Sequence, residues 1–280
     1  MEASRHRPSP ADTLRGLALM QRYSLQLSRV ADSTLTRGGA RNLDIQLLTT
    51  VHSLGAASPS DVAAHTRRPR STVSRSIARA IEQGLVERTT SSGDRRRAEL
   101  RLTTLGAERV EAFAQAMTSF FLEAAPLAKD MLVALGRDVE GSDRHHARSP
   151  LELAAVLGAA GAPFVAEVGP VMWRYGVTEP VDRYALVLIA HRGQVRPAQL
   201  ADELLLTPAG TSSLLERLEA RDLLVRESGT VVGDGRGVLV RLTPKGSEAV
   251  HGVVRVFSRH RDALVDAIAQ TLRVRTSAAA

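Results

Sequence analysis

Apolar residues recur at helical spacing along most of the chain. Leu14, Leu17, Met20, Leu25 and Val30 mark an amphipathic helix over about 12–33. Leu43, Leu47, Leu48, Val51 and Leu54 mark a second, which stops at Gly55. Ser58-Pro59 restarts a short helix, with serine as cap and proline in the first turn. After a turn at 66–69, Val73, Ile77, Ala80 and Ile81 define the buried side of a third helix that ends at Gly84. Short strands at 85–88 and 99–103 flank the polar stretch TTSSGDRRRA and predict a β-hairpin. A long helix follows from about 105, carrying Val110, Phe113, Met117, Phe120 and Phe121 inward. Pro126 breaks it before a short helix at 127–135.

The same plan then runs a second time. SPSDVAAHTRRPRSTVSRSIARAIEQGLVER at 58–88 aligns without a gap with RPAQLADELLLTPAGTSSLLERLEARDLLVR at 196–226. Each block leads into Gly-Asp-x-Arg and then Leu-Thr-x-x-Gly: Gly93, Asp94, Arg96, Leu102, Thr103 and Gly106, then Gly233, Asp234, Arg236, Leu242, Thr243 and Gly246. An internal repeat constrains a fold more than any single motif. The expected organisation is a disordered 1–10, a first domain over 11–135, a linker over 136–149 and a second domain over 150–280. In the second copy, helical sequence at 150–175 is expected to be interrupted at Gly161–Pro163 and Gly169–Pro170. Helices at 181–192, 197–204 and 208–221, a hairpin at 223–242 and helical sequence from Pro244 to about 274 complete it. The predicted class is mainly α with small β wings: two winged helix-turn-helix domains related by an internal pseudo-two-fold and joined through a helical, dimerisation-like region.

Composition narrows the chemistry. The chain has 280 residues, 44% of them hydrophobic, 24% charged and only 3% aromatic, with a formal charge of +7. Length gives room for about two domains. Lys129 and Lys245 are the only lysines, so the positive charge is almost all arginine, the residue suited to phosphate and base-edge contacts. With no cysteine, disulfides, thiolate nucleophiles and cysteine-based zinc sites are excluded. No apolar run is expected to span a bilayer, and the amino terminus lacks the apolar stretch of a signal peptide, so a cytoplasmic protein is expected. His145-His146 falls in the linker without supporting carboxylates and is not read as a metal site. No catalytic constellation or phosphate loop appears, so the chain is not read as an enzyme and no cofactor is implied.

The order helix, short helix, turn, helix, hairpin places chemistry on the third helix. With one side buried, its start presents Arg70, Ser71, Thr72, Ser74 and Arg75 outward. A helix fits the major groove, and side chains near its start reach base edges. Arg67 and Arg68 in the turn are placed for phosphate. Arg95, Arg96 and Arg97 at the hairpin tip can enter a minor groove or clamp phosphate.

Residues 43–111 resemble the MarR family of transcriptional regulators. The likeness is carried by the helix before Gly55, by RSTVSRSIARAIEQGLVER, by GDRRRAELRLT, and by the Thr104-Leu105-Gly106 start of the next helix. It implies winged-helix domains paired through terminal helices, a palindromic double-stranded DNA operator, and release by a small aromatic or anionic effector. On that likeness Asp94, and by extension Asp234, braces the wing and Arg96 contacts DNA.

The second copy matches more loosely, with LVRLTPKG at 239–246 its closest segment. Pro208 replaces Arg70, Ala209 replaces Ser71, Gly210 replaces Thr72, Ser213 replaces Arg75, and Gly235 replaces Arg95. Thr211, Ser212, Ser213 and Arg236 remain as candidate contacts. Residues 58–106 hold ten arginines against five acids, net +5, whereas 196–246 hold six arginines and Lys245 against seven acids, net 0. A phosphate-reading surface should be positive. Unequal operator half-sites are therefore expected, read by a pseudo-dimer within one monomeric chain. The rival reading is a winged-helix pair that binds protein instead of DNA. Trp173 and Tyr175, with Met172 and Phe164, form the densest aromatic stretch. They are read as core packing or as part of an effector site, with Arg174 or Arg183 able to meet a carboxylate.

Overall fold

The computed structural model describes residues 8–35, 42–66, 68–90, 98–137, 148–228 and 238–274. By packing, they fall into two units, neither contiguous in sequence. One gathers Gln26–Ala124, His146–Ala159 and Gln270–Ala280; the other gathers Met1–Leu25, Ala125–His145 and Ala160–Ala269. The first holds the amino-terminal winged helix and the second holds the carboxyl-terminal one. Each is therefore completed by helical segments from the far side of the 136–149 stretch, where a division into successive domains was expected.

The chain begins with helix α1 (Pro10–Thr34), capped by Ser9, whose Oγ accepts from the Asp12 amide at 3.1 Å. Residues 8 and 9 thus belong to the folded protein rather than to a disordered 1–10. The first winged helix comprises α2 (Asn42–Leu54), α3 (Pro59–Thr66), α4 (Arg70–Glu82), strands β1 (Val86–Thr90) and β2 (Ala98–Leu102), and α5 (Thr104–Glu123). Helix α2 is its hub and packs against α3, α4, β2 and α5. Leu47, Leu48, Val51, Val62, Val73, Ile77, Val110 and Phe113 are all buried, at the positions that the helical spacing predicts, and Leu100 is buried from β2. The strands are antiparallel with Val86 opposite Leu102 and Thr90 opposite Ala98, and Ala57 bridges to Leu100.

Helix α6 (Ala125–Ala134) starts directly after α5, with Pro126 in its first turn, where the missing amide costs nothing. Helix α7 (Pro150–Trp173) runs unbroken through Pro163 and Pro170, contrary to the expected interruptions. Burial of Phe164, Val168 and Met172 on one side holds it together. It is also long and apolar enough by length and composition to cross a membrane, with mean hydropathy 1.6, which corrects the expectation that no such run exists. In the second unit Phe164 meets Phe257 edge-on at 6.1 Å, the contact of a core helix.

The second winged helix repeats the first: α8 (Pro180–Arg192), β3 (Gln194–Val195), α9 (Pro197–Leu204), α10 (Pro208–Glu219), β4 (Leu224–Ser228), β5 (Val238–Leu242) and α11 (Pro244–Thr271). Strand β3 pairs with β5 and makes a three-stranded sheet of order β3-β5-β4 where the first copy has only a bridge.

The repeated Leu-Thr-x-x-Gly is a junction device. Thr103 caps α5 by accepting from the Gly106 amide at 3.0 Å, and its hydroxyl donates to the Gly84 carbonyl at 2.6 Å. Thr243 does the same with Gly246 and the Asp222 carbonyl, at 3.0 and 2.7 Å. The glycine is needed because a Cβ there would sit 2.0 Å from the carbonyl oxygen of Leu85 or Leu223.

Candidate nucleic-acid interface

Helix α4 is anchored on three sides. Val73, Ile77 and Ala80 enter the core, and Ser76 is 1% exposed. Ser76 Oγ donates to Asp44 Oδ1 at 2.6 Å, and Arg79 Nη2 donates to the same oxygen at 3.2 Å. These bonds fix the rotation of α4 against α2. Outside, Arg70, Ser71, Ser74, Arg75 and Ala78 are exposed and Thr72 is half-buried; Glu82 at the helix end is exposed too, as is Ile81, which was expected on the buried side. Asp61, the obvious partner for these arginines, accepts from the Ser58 amide and hydroxyl at 2.8 and 2.7 Å as part of the α3 cap. Among the described residues Arg68, Arg70, Arg75 and Arg88 form no ion pair. The surface of this head therefore carries uncompensated guanidinium groups beside hydroxyls at a helix start, where the helix dipole adds to the positive potential.

The second head is built the same way, and its surface chemistry differs. Leu214, Leu215 and Leu218 are buried, and Asp182, 1% exposed, accepts from Arg217 Nε at 3.3 Å and Nη2 at 2.6 Å. That hydrogen bond, ahead of a smaller opposing effect of burial, raises the Arg217 pKa further above its ordinary value. Asp182 and Arg217 stand where Asp44 and Arg79 stand in the first copy. The exposed stripe of α10 is Pro208, Ala209, Ser212, Ser213 and Glu216. Its neighbours are paired: Arg226 with Glu219 at 3.1 Å, Arg192 with Glu203 at 2.8 Å, and Arg241 with Glu227.

The structure thus brings Arg68, Arg70, Ser71, Thr72, Ser74 and Arg75 to one helix start, and Ser212 and Ser213 to the other. Thr211 is a correction: it is 3% exposed, and its hydroxyl donates within the helix to the Thr207 carbonyl at 3.0 Å. It occupies the place of buried Val73 and cannot face a ligand. Arg67, Asp94, Arg95, Arg96, Arg97, Asp234 and Arg236 lie outside the described residues, as does His145-His146. The expected aromatic stretch also divides. Phe164 and Met172 are core, whereas Trp173 is 62% exposed at the end of α7 and Tyr175 is half-buried after it. Burial, then the nearby Glu248 carboxylate, pushes the Tyr175 hydroxyl up. The carboxylate–arginine anchors and Glu216 are the features that the motif reading passes over. The anchors are visible as identical residues at the same place in both copies.

The MarR family model matches this chain in two places, residues 41–97 and 175–237. No curated protein matches it. Solved structures that align with it include the transcriptional regulator Tm0710 from Thermotoga maritima, 24% identical over 37% of this chain and 70% of that one, with a TM-score of 0.32. RV1404 from Mycobacterium tuberculosis is 22% identical over 44% and 83%, with a TM-score of 0.37. A mutant MarR from E. coli, complexed with operator DNA, is 20% identical over 40% and 79%, with a TM-score of 0.33.

Proposed function

This chain belongs to the MarR family through both matched regions, and from that premise we propose that it is a sequence-specific, double-stranded DNA-binding repressor of transcription, acting in the cytoplasm. The observation that carries the reading is the exposed start of α4, where Arg70 and Arg75, without an ion pair among the described residues, stand beside Ser71 and Ser74. Laid in a major groove, Arg70 and Arg75 can bond guanine bidentately and the serines can bond bases or phosphates. Arg67 and Arg68 hold backbone phosphates, and Arg95, Arg96 and Arg97 reach the flanking minor groove, with Asp94 bracing that wing. The second head adds Ser212, Ser213 and Arg236, with Asp234 bracing its wing.

One chain carries two unlike heads, so its operator has unequal half-sites, and the first head supplies most of the affinity. The monomer does the work of a dimer. A small aromatic or anionic effector binds near Trp173 and Tyr175 and releases the DNA. A second reading, a winged-helix module that binds protein, is favoured by the paired arginines of the second head alone.

The test is fluorescence anisotropy with operator DNA over a salt series. Binding should weaken steeply, with a slope of about −0.9 per phosphate neutralised. Replacing Arg70 or Arg75 with alanine should cost about 1–3 kcal/mol each, against little for Ser212 or Ser213. Binding that is flat in salt and blind to Arg70→Ala favours the protein-binding module.

A further inference from the structure

We propose that Glu216 determines the specificity of the second head: its carboxylate bars α10 from the groove contact that α4 makes, so that only the first half-site is held strongly. The inference rests on the DNA-binding reading and names the residue that makes the half-sites unequal.

The two exposed stripes correspond residue by residue. Arg70, Ser71, Ser74, Arg75 and Ala78 on α4 face outward as Pro208, Ala209, Ser212, Ser213 and Glu216 do on α10. At these five places two cations are lost and one anion is gained, while Glu82 at the end of α4 gives way to Ala220. Losing the arginines would make α10 a weak reader. Gaining a carboxylate makes it a repelled one.

The Glu216 side chain is exposed on α10. Among the described residues it has no partner. Its neighbours three and four residues away are Ser212, Ser213, Glu219 and Ala220, so no cation supports it along the helix. The nearby arginines are committed elsewhere: Arg217 to Asp182, Arg226 to Glu219, and Arg221 Nη1 to the Arg217 carbonyl at 2.7 Å. Asp182, Glu203, Glu219 and Glu227 of this head are paired, whereas Glu216, like Asp202 and Asp222, has no ion pair among the described residues. Glu216 stands unpaired on the face that its repeat presents to DNA.

A carboxylate in a groove could instead accept from the amino group of cytosine. The position of Glu216 argues against that role. It is the ninth residue of α10, about 12 Å along the axis from the helix start. Base edges are reached from the first turns. Further along the helix, the nearest charges are phosphates, one per about 1.7 Å of duplex and within a screening length of about 10 Å. Like charges brought together this way suppress unwanted partners.

The experiment uses the full chain and three duplexes of equal length: a palindrome with two copies of the first head's selected half-site, a duplex with one copy, and an unrelated duplex. Wild type should bind the first two within about twofold. Glu216→Ala and Glu216→Gln should both bind the palindrome and the single-half-site duplex about threefold tighter at low salt, because the phosphates beside the second head are the same in both. The glutamine variant keeps the shape and removes only the charge. Affinities equal to wild type in both variants overturn the role of Glu216 while leaving the wild-type preference intact. Loss of binding in Glu216→Ala on a selected natural operator also overturns it, because the carboxylate then reads a base. Absence of salt-dependent wild-type binding to all three duplexes sinks the DNA-binding reading itself, and this inference with it. Unfolding midpoints equal to wild type establish that both variants are folded.

Discussion

The two winged helices share a skeleton and differ in how they dispose of charge. Both anchor the third helix with an aspartate–arginine pair, both cap the helix after the wing with threonine, and both require glycine at the same junction. On the outer surface the first head leaves Arg68, Arg70, Arg75 and Arg88 without ion pairs among the described residues and pairs Arg101 with Glu99, whereas the second pairs Arg192, Arg226 and Arg241 with carboxylates. The anchors, caps and junction glycines are repeated, whereas on the outward stripe only Ser74 is, as Ser212, which separates folding from recognition. The largest losses are expected at the shared elements. Gly106→Ala and Gly246→Ala each place a methyl 2.0 Å from a backbone carbonyl oxygen that has no flexible side chain to yield. Each should cost about 3 kcal/mol, read as a fall in the urea midpoint. Equal losses support a common device, and a large loss at only one site means the junctions are not equivalent.

The anchors come next. Asp182→Asn removes the charge that receives two bonds from Arg217 at a site 1% exposed. The expected cost is about 1–3 kcal/mol, because Arg217 is part-exposed and can turn to water. Asp44→Asn should cost less, since the Ser76 hydroxyl can still donate to the amide oxygen. Urea unfolding of both variants checks the order, and the reverse order would show that Ser76 depends on the charge of its acceptor.

Much of this comparison is legible in the sequence, and the illegible part has physical causes. Helices, wings and junctions follow from apolar spacing, Gly55, Gly84 and the Thr-x-x-Gly caps, because local chemistry determines them. The exchange of helical segments between the packing units does not follow, because an amphipathic helix announces a buried face and not the partner that buries it. Helix α7 is expected to break at its prolines and does not, since burial of Phe164, Val168 and Met172 outweighs the lost hydrogen bonds. The Thr211 hydroxyl suggests a contact, yet its place in the repeat, opposite Val73, already assigns it to the core. Glu216 is visible in the same alignment and escapes a search for cations and hydroxyls.

A smaller effect is expected at Arg183, which takes the place of Ile45. It is 8% exposed, its Nε has no hydrogen-bond partner, and its guanidinium lies 5.2 Å from the Tyr184 ring centroid. A buried donor left unmatched costs stability, so Arg183→Ile should stabilise the protein by on the order of 1 kcal/mol. Thermal unfolding in plain buffer checks this. A lower midpoint would mean that the cation is compensated there, and the heads would then differ inside as well as outside.

The smallest effect belongs to a contact that the first copy lacks. Glu167 on α7 receives Arg259 Nη2 at 2.7 Å and lies 2.9 Å from His260 Nε2 on α11; the first copy has Arg29, Ser119 and Phe120 in these places. The hydrogen bonds from Arg259 and then His260 hold the Glu167 carboxyl below its usual range, against a weaker opposing effect of burial. A carboxylate whose pKa is lower in the folded state binds its proton more readily when unfolded. Its stabilising contribution is therefore fully present above the ordinary carboxylate pKa and is lost as pH falls through the depressed one. The site is solvent-exposed, so the contribution is small and screened by salt. Glu167→Gln should flatten the acid limb of the stability–pH curve slightly and leave the neutral limb parallel to wild type. Unfolding midpoints taken at low ionic strength, from neutral pH down to below the carboxylate range, resolve the difference. An acid limb as steep as wild type would mean that α7 and α11 are held by their apolar faces alone, as the Phe164–Phe257 contact already suggests for most of the binding between them.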